Sequence, residues 1–329
     1  MRTRRPALVA GTLLLALTTA CTAGASDADT DAAAGPETRS FEHAAGTTEI
    51  PVDPERIVTT TDQNALLPLL ELGIEPVGSA GLLNPDGSTL FRRTEGFDTE
   101  GIAFVGAYGE PNLEGIAAVR PDLIVGYEFD GDFYDDLSRL APTVLVQVFD
   151  RPLTDALEDF AAVVGREDEA ADLRAAYEQR IADFREALGD RLGTLSVSIL
   201  SAGDPGTFYR ADVGQAMGTV VDDLGLTLVE AQAADDGNDA NSLERLADRD
   251  ADVVILVDYS GEQGEPDAGT RALLEAPTYE RLAAVGADQA HVIDGTRTVG
   301  AAWARMGAFL DVLETHLLGA RDDVVDETA

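Results

Sequence analysis

Arginine and tyrosine side chains recur in the loops that follow the predicted strands of this chain. Ligands of open parallel sheets bind beyond the carboxyl ends of the strands, so a binding site is expected in these loops. An arginine supplies a permanent charge and a planar set of donors, which suits anionic ligands. Any single loop arginine could instead be solvated or paired with an acid. The sole tryptophan could instead be packed in the core. The candidate ligand-binding residues are Arg92, Arg93, Tyr108, Tyr127, Tyr209, Arg210, Arg297 and Trp303.

The sequence contains no recognisable catalytic motif. No Gly-x-Ser-x-Gly segment occurs, and none of the histidines, His43, His291 and His316, has an obvious serine and acid in its sequence context. Lysine is absent, which excludes a Walker-type phosphate loop and Schiff-base chemistry. So few histidines give little support to a protein-bound transition metal. We therefore expect a binding protein without catalytic residues, metal or intrinsic cofactor, and a secreted hydrolase is the alternative of another class.

One stretch of sequence occurs twice, at residues 112–125 and 242–255. Each copy opens with a residue whose side-chain oxygen can cap a helix, and ends in a short apolar run typical of a buried strand. Glu114 and Glu244 fall in the first predicted helical turn, where a carboxylate favours the positive end of the helix dipole. The repetition of one αβ unit predicts two lobes of similar build. The identities are Leu113 with Leu243, Glu114 with Glu244, Ala117 with Ala247 and Asp122 with Asp252.

Strands and helices alternate along the rest of the chain at the spacing of parallel βαβ units, so the predicted fold class is α/β. The longest helical pattern covers residues 167–188 and would span roughly 33 Å, enough to cross from one lobe to the other. The predicted strands are 57–60, 76–79, 104–106, 123–125, 142–148, 196–200, 253–255 and 291–293, with a strand or hairpin over 43–50. Outside the repeat, the predicted helices are 62–72, 153–164, 167–188, 213–224 and 301–318.

The N terminus has the composition of a secretory signal peptide. Arginines precede an apolar run over residues 7–17, and small residues follow it. The segment Leu-Thr-Thr-Ala-Cys at 17–21 resembles a bacterial lipobox, although its leucine stands one residue further from the cysteine than usual. We predict that residues 1–20 are removed and that Cys21, the single cysteine, is lipidated. The alternative is cleavage after residues 23–25, which would release a soluble protein.

Charge and composition limit the remaining possibilities. The formal net charge is −38, which excludes nucleic-acid binding through a general electrostatic field. Residues 21–40 are rich in small and polar types without a hydrophobic period, so we expect a disordered tether there. Residues 319–329 are expected to form an acidic tail.

Several segments follow one another in a recognisable order: Gly-Thr-Thr-Glu-Ile-Pro-Val-Asp-Pro-Glu-Arg-Ile-Val at 46–58, Leu-Gly-Ile-Glu-Pro-Val-Gly at 72–78, the first repeat copy at 112–125, Ala-Pro-Thr-Tyr-Glu-Arg-Leu at 276–282 and His-Val-Ile-Asp-Gly at 291–295. Together they resemble the ferric-siderophore substrate-binding proteins of ABC importers. The resemblance extends over about residues 41–318 and implies two Rossmann-like lobes with mostly parallel sheets, joined by one long interlobe helix. The ligand would lie in the cleft between the lobes.

The resemblance also implies a domain division, a cargo and partners. The N-terminal lobe would cover residues 41–165, the interlobe helix 166–190 and the C-terminal lobe 191–318. In such proteins, glutamates at the positions of Glu114 and Glu244 dock into arginine pockets on the two permease subunits.

We therefore expect a monomeric lipoprotein, extracytoplasmic and lipid-anchored to the cell membrane, that delivers a ferric siderophore to an ABC permease. Iron would enter only as part of the siderophore, whose chemical class the sequence leaves open. A haem- or cobalamin-binding protein of the same fold is the nearer alternative, since Tyr108 or Tyr209 could supply an axial haem ligand.

Overall fold

The computed structural model describes residues 37–149, 151–211, 216–229, 240–259 and 266–318. The predicted signal peptide, Cys21 and the acidic tail lie outside the described residues. The division into lobes at residues 165 and 190 stays a prediction.

An antiparallel hairpin opens the described chain. Its strands are β1 (Thr38–His43) and β2 (Gly46–Pro51), with His43 opposite Gly46 at the turn. The hairpin predicted over 43–50 is therefore present, but its first strand begins inside the segment predicted as a tether to residue 40. The prediction that the disordered tether extends to residue 40 is wrong, because Arg39 and Ser40 pair with Ile50 and Glu49 in the hairpin.

The first sheet is mostly parallel, as predicted. Its strand order is β7-β6-β4-β3-β8-β9, with β5 paired to β4, and only the short strands β5 and β7 pair antiparallel. In the centre, Ile57 lies opposite Leu123, so the strand of the first repeat copy is buried in mid-sheet. The strands are β3 (Ile57–Thr59), β4 (Gly78–Leu83), β5 (Thr89–Leu90), β6 (Ala103–Ala107), β7 (Glu110–Pro111), β8 (Leu123–Tyr127) and β9 (Thr143–Val146).

The helix predicted over 62–72 is present, although it is largely buried rather than amphipathic. A π-helix, Asp62–Leu66, follows β3 and continues into α1 (Leu67–Glu71), and both are largely buried. Pro68 lacks the N–H that an α-helix would need for its bond to residue 64, so a continuous α-helical ladder cannot form here. The other helices beside this sheet are α2 (Leu113–Ala118) and α3 (Tyr134–Leu137), with a 3₁₀ turn over Glu128–Phe133.

Two consecutive helices lead from the first sheet to the second. They are α4 (Leu153–Val164) and α5 (Glu167–Leu188), separated by Gly165 in the left-handed region at φ 67°. The predicted bounds of both helices are confirmed. On α5, four apolar side chains spaced three or four residues apart are buried, while most of the charged residues face solvent. The four are Tyr177, Ile181, Phe184 and Leu188.

The second sheet has strand order β13-β11-β10-β14-β15, with β12 paired to β10. Val197 lies opposite Val253, which puts the strand of the second repeat copy beside the first strand of this half. β11 runs antiparallel to both of its neighbours, while the other pairs are parallel. The strands are β10 (Ser196–Ala202), β11 (Thr207–Arg210), β12 (Thr227–Leu228), β13 (Asn241–Ser242), β14 (Val253–Asp258) and β15 (Ala290–Asp294).

The second repeat copy differs from the first in its helix. Residues Leu243–Arg249 form a 3₁₀ turn where an α-helix was expected, since a run this short has few i→i−4 bonds to favour one geometry. Further 3₁₀ turns cover Gly189–Arg191 and Gly295–Arg297. The α-helices of this half are α6 (Ala216–Leu224), α7 (Ala268–Leu274), α8 (Ala283–Gly286) and α9 (Trp303–Leu318).

The last helix, α9, begins against the first half of the protein. The Glu71 carboxylate accepts from the backbone N–H groups of Trp303 (2.7 Å) and Ala304 (2.6 Å), and so caps a helix that starts more than two hundred residues later. Behind this cap, one apolar cluster includes Val125 of the first sheet and Ile255 of the second. The core is therefore continuous from one sheet to the other.

Across the described ranges, no helix is both long enough and apolar enough to span a membrane.

His43 attaches the opening hairpin to the first sheet in a protonation-dependent way. The backbone N–H groups of Ala45 (3.2 Å) and Leu145 (3.3 Å) both donate to its Nδ1. Nδ1 must therefore be unprotonated, and Nε2–H donates to Thr48 Oγ1 (2.9 Å). Burial lowers the pKa of His43. The stability that neutral His43 contributes is present above its ordinary pKa of about 6.5 and is lost as pH falls through the folded-state pKa.

We expect the free energy of unfolding of the natural sequence to fall more steeply between pH 7.5 and pH 5 than that of His43→Gln. The difference should develop as pH falls through the folded-state pKa of His43, because the glutamine has no proton to gain there. Urea unfolding at several pH values measures it. Glu42→Gln, a change at an exposed neighbour, should follow the natural profile. If the free energy of unfolding changed equally with pH in the His43→Gln variant and in the natural sequence, neutral His43 would not be what attaches the hairpin.

Candidate ligand-binding site

A buried carboxylate begins the candidate site. Asp62 follows β3 directly and has no exposed surface, so its charge requires a partner. Arg92 supplies three donors: its Nε and backbone N–H to Oδ2 (2.9 Å each) and its Nη2 to Oδ1 (2.8 Å). The pair attaches the loop after β5 to the carboxyl end of the sheet. π-Helical turns such as the one that Asp62 begins occur frequently at functional sites.

Two tyrosines continue the surface from Arg92. The Arg92 guanidinium lies over the ring of Tyr108, 5.4 Å from its centre, and the hydroxyls of Tyr108 and Tyr127 are 2.6 Å apart. Burial, together with the Tyr108 hydrogen bond, raises the pKa of Tyr127, so this phenol is neutral at physiological pH. Tyr127 is nearly buried, whereas Tyr108 remains 49% exposed. The exposed phenol ring is therefore held in place by a cation on one side and a buried hydroxyl on the other.

Two phenylalanines extend this surface. The rings of Phe129 and Phe149 stack with their centres 5.1 Å apart, and Tyr127 meets Phe129 edge to face at 5.4 Å. The Glu128 carboxylate accepts from the backbone N–H groups of Val148 (2.9 Å) and Phe149 (2.6 Å), which fixes the loop after β9. Phe129 is 63% exposed. Phe129 stands in a loop after a predicted strand, where a site is expected, whereas Phe149 was missed because only this cross-loop contact brings it to the site.

A second buried acid shapes the turn after β8. Asp130 accepts from the Thr60 hydroxyl and from the Tyr127 backbone N–H. Burial raises the pKa of Asp130 to about 6, against the opposing effect of these two hydrogen bonds. Gly126 must be glycine here, because a Cβ would lie 2.5 Å from the Thr60 hydroxyl oxygen and 2.6 Å from Asp130 Oδ2. The ends of β3 and β8 are thus joined directly beneath the aromatic rings.

Arg93 and Arg297 approach the site from different halves of the protein. Arg93 has a left-handed backbone (φ 66°), and its carbonyl accepts from the guanidinium of Arg305 on α9. The same guanidinium donates to the Arg297 carbonyl (3.2 Å). The Arg297 side chain itself is exposed and lines a groove beside Asp311 and other residues of α9. Only the backbone of Arg297 is therefore attached to the junction with Arg93.

The remaining candidates lie in other parts of the described structure. Tyr209 and Arg210 are half-buried at the end of β11, in the second sheet. Trp303 is only 6% exposed, and its ring lies 5.7 Å from that of Tyr177 on α5. This placement favours the core-packing alternative for Trp303. The structure thus brings together Arg92, Tyr108 and Tyr127.

The two repeated glutamates are both exposed at helix starts. Asn112 Oδ1 accepts from the Gly115 backbone N–H (3.0 Å) at the start of α2, and Ser242 Oγ accepts from that of Glu244 (3.3 Å). The predicted caps are confirmed. The Glu114 and Glu244 side chains make no hydrogen bond or ion pair within the described ranges.

The repeated aspartates have a structural role in common. Asp122 accepts from the backbone N–H groups of Glu55 and Arg56 (2.9 Å each), just before β3. Asp252 accepts from the Ser196 backbone N–H (2.8 Å) and hydroxyl (2.7 Å) at the start of β10. Each aspartate therefore joins the strand that it precedes to the neighbouring central strand, which accounts for this identity between the copies.

The described residues contain no group of three or more His, Cys, Asp or Glu that could hold a metal ion. His291 and His316 stack on each other with ring centres 3.7 Å apart. Burial lowers the pKa of both histidines.

Comparisons with known proteins agree with this architecture. The chain is 29% identical over 311 residues to the "Probable siderophore-binding lipoprotein YfiY" of Bacillus subtilis, covering 91% of this chain and 93% of the relative. It is 26% identical over 257 residues to the iron(3+)-hydroxamate-binding protein FhuD of that organism, covering 76% and 77%. The crystal structure of Staphylococcus aureus SirA complexed with staphyloferrin B matches with a TM-score of 0.71 at 26% identity, covering 85% of this chain and 98% of that one.

The structural likeness, together with the two largely parallel sheets, confirms the predicted α/β fold of two lobes joined by a long helix. Residues 89–296, more than half of the 329 in the sequence, match the family described as "Periplasmic binding protein". This chain therefore belongs to the periplasmic binding protein family.

Proposed function

We propose that this protein captures a ferric siderophore outside the cytoplasm and delivers it to an ABC permease, without performing chemistry on it. The observation that supports this most is the surface of Arg92, Tyr108, Phe129 and Phe149 at the carboxyl edge of the first sheet, in a chain whose relatives bind siderophores by name. Exposed aromatic rings and a guanidinium suit a large complex with both apolar and polar faces.

The surface is ordered before ligand arrives, which favours affinity. The Asp62 carboxylate fixes Arg92, and Glu128 fixes the backbone of Phe149. Side chains already held in one rotamer lose little entropy on binding, a loss that otherwise amounts to about 0.5–1.5 kcal/mol for each flexible side chain. This arrangement is consistent with a cleft that binds its cargo without large rearrangement.

Two alternatives remain open to test. Haem or cobalamin would use the same fold, and Tyr108 is placed with its phenol exposed as an axial ligand would be. A secreted hydrolase has less support, because the sequence contains no recognisable catalytic motif.

A titration of the purified mature protein with ferric siderophores of hydroxamate, catecholate and carboxylate type, with haem and with cobalamin, tests the function. We expect quenching of the fluorescence of the sole tryptophan, Trp303, by at least one ferric siderophore, and no turnover of an ester and peptide panel. Binding of haem or cobalamin alone would contradict the siderophore proposal, and hydrolysis would contradict the binding protein.

We further infer that Glu114 and Glu244 are the contacts with the permease. Both are exposed and make no ion pair within the described ranges, and each stands at the start of a helix beside a different sheet. Removing a first-turn carboxylate from a helix costs only about 0.3–1 kcal/mol. If these glutamates only stabilised their helices, their removal would lower stability slightly and leave uptake nearly unchanged.

Glu114→Ala combined with Glu244→Ala should abolish siderophore-dependent iron uptake in cells while leaving the dissociation constant of the ferric siderophore unchanged. Uptake of radioactive iron and titration of the purified variant measure the two quantities. The matched control is Asp172→Ala with Glu186→Ala, two exposed acids on α5, which should transport normally. Retained uptake in the Glu114 and Glu244 double variant would refute the docking role.

The lipid anchor at Cys21 has its own test. We expect Cys21→Ser to move the protein from the membrane fraction into the medium or periplasm, because no second cysteine could accept the lipid. Fractionation followed by mass measurement of the mature N terminus measures this. An unchanged membrane association of the Cys21→Ser variant would show that Cys21 is not the anchor.

A further inference from the structure

Two histidine rings stack on each other where the last strand of the second sheet meets the last helix. His291 lies in β15, at one end of the strand order, and His316 lies in the final turns of α9. The ring centres are 3.7 Å apart and the ring planes differ by only 17°. Ile255, opposite His291 on β14, and Leu317 are both buried in the shared core. The pair therefore stands at the contact between β15 and the C-terminal end of α9.

The buried side of the pair has no place for an additional proton. Nε2 of His291 is buried and has no hydrogen-bond partner within the described ranges. A neutral imidazole can leave one nitrogen without a hydrogen, whereas an imidazolium donates from both. Protonated His291 would therefore hold a charged donor at a buried atom with no acceptor, which is costly.

The other side of the pair is open to protons from solvent. His316 lines a groove of about 280 Å³, together with Asp294, Arg297 and Asp311. Asp311 is paired with Arg180 on α5 (2.7 Å). Two carboxylates and two guanidinium groups thus balance in and beside the groove, so no net negative charge here favours protonation of both rings.

Three further charges lie on the elements around the pair. Asp288, in the turn before β15, is the carboxylate that acts on His291, and it favours a first proton there. At the end of α9, Arg191 donates to the Leu317 carbonyl (2.8 Å). Glu314, in the same part of α9, faces the α5 arginine named above (3.6 Å). One carboxylate is therefore available to the pair, against two rings that can each gain a proton.

We propose that His291 and His316 form a proton-sensitive contact between β15 and the C-terminal end of α9, which holds with one proton on the pair and opens when both rings are protonated. Two like charges this close repel each other. Burial lowers the pKa of both histidines, and His291 lowers that of His316 further. The stability that the pair contributes is therefore present above the ordinary histidine pKa of about 6.5 and is lost as pH falls through the folded-state values.

Opening of this contact would affect the junction of the two halves, because α9 takes part in both. The helix begins under the Glu71 cap and carries Arg305, whose guanidinium donates to carbonyls in loops of both sheets. A protein outside the cytoplasm meets the acidity of the medium directly, so acid would loosen α9 from its C-terminal end first. The contact forms within the protein itself and does not depend on which cargo is bound.

Proton NMR of the histidine rings between pH 7.5 and pH 4.5, on the purified mature protein, tests the coupling. In the natural sequence we expect the two rings of the pair to titrate in separate steps, as coupled groups do, while His43 titrates alone. His291→Gln should raise the pKa of His316, and His316→Gln should raise that of His291, because the coupling between two sites is reciprocal.

Hydrogen exchange of the last-turn amides of α9, corrected for the intrinsic exchange rate, tests the opening. Below about pH 5.5 the opening constant of the natural sequence should rise by about tenfold per pH unit, the slope for one proton taken up on opening. In either single variant it should rise by less than about threefold per pH unit. The matched control is His43→Gln, a histidine of the opening hairpin, which should keep the natural slope.

Thermal unfolding shows whether the variants fold, and the ring titrations of the natural sequence decide the question without them. Simultaneous titration of both rings at the midpoint of a free histidine would overturn the proton-sensitive contact. An unchanged pKa of the remaining ring, or an exchange slope in the variants equal to the natural one, would overturn it as well. Absence of binding to every ferric siderophore would refute the proposed function without affecting this contact.

Discussion

The geometry of the candidate site depends on one buried carboxylate. Asp62 has no contact with solvent, so its charge must be matched inside the protein, and Arg92 matches it with two guanidinium donors and a backbone N–H. This pairing holds a loop that otherwise has little regular structure against the end of β3. It also places Arg92 over Tyr108, which in turn bonds to Tyr127. The exposed ring of Tyr108 is therefore held in position by a residue that is itself buried and out of reach of a ligand.

The large elements could be predicted because their signals are local. The helical patterns over 153–164 and 167–188 predicted both helices with the correct bounds. The helix caps of the repeated αβ unit could also be predicted, because a capping side chain bonds to a backbone N–H only two or three residues further along the chain. The helix over 62–72 was predicted, but a hydrophobic pattern does not distinguish α from π geometry, and the effect of Pro68 within it was not recognised.

The site itself could be predicted only in part. Arg92, Tyr108 and Tyr127 were identified because they follow strands, and parallel strands bring such loops to one edge. Phe149 was missed because its position depends on Glu128, twenty-one residues earlier, and on a ring stack that no local pattern encodes. Trp303 was misleading for a related reason: a rare residue near a loop attracts a functional interpretation, but its ring is packed against Tyr177 in the core.

The cap that Glu71 places on α9 has a consequence for how the chain reaches its native state. The carboxylate is synthesised early, but the N–H groups that it accepts from belong to residues 232 and 233 positions later. Closing so long a segment costs configurational entropy that only the finished core repays. A nascent chain that ends before Trp303 leaves Glu71 without these donors and one side of the shared core uncovered. The first half therefore does not reach its full packing until the last helix has been synthesised.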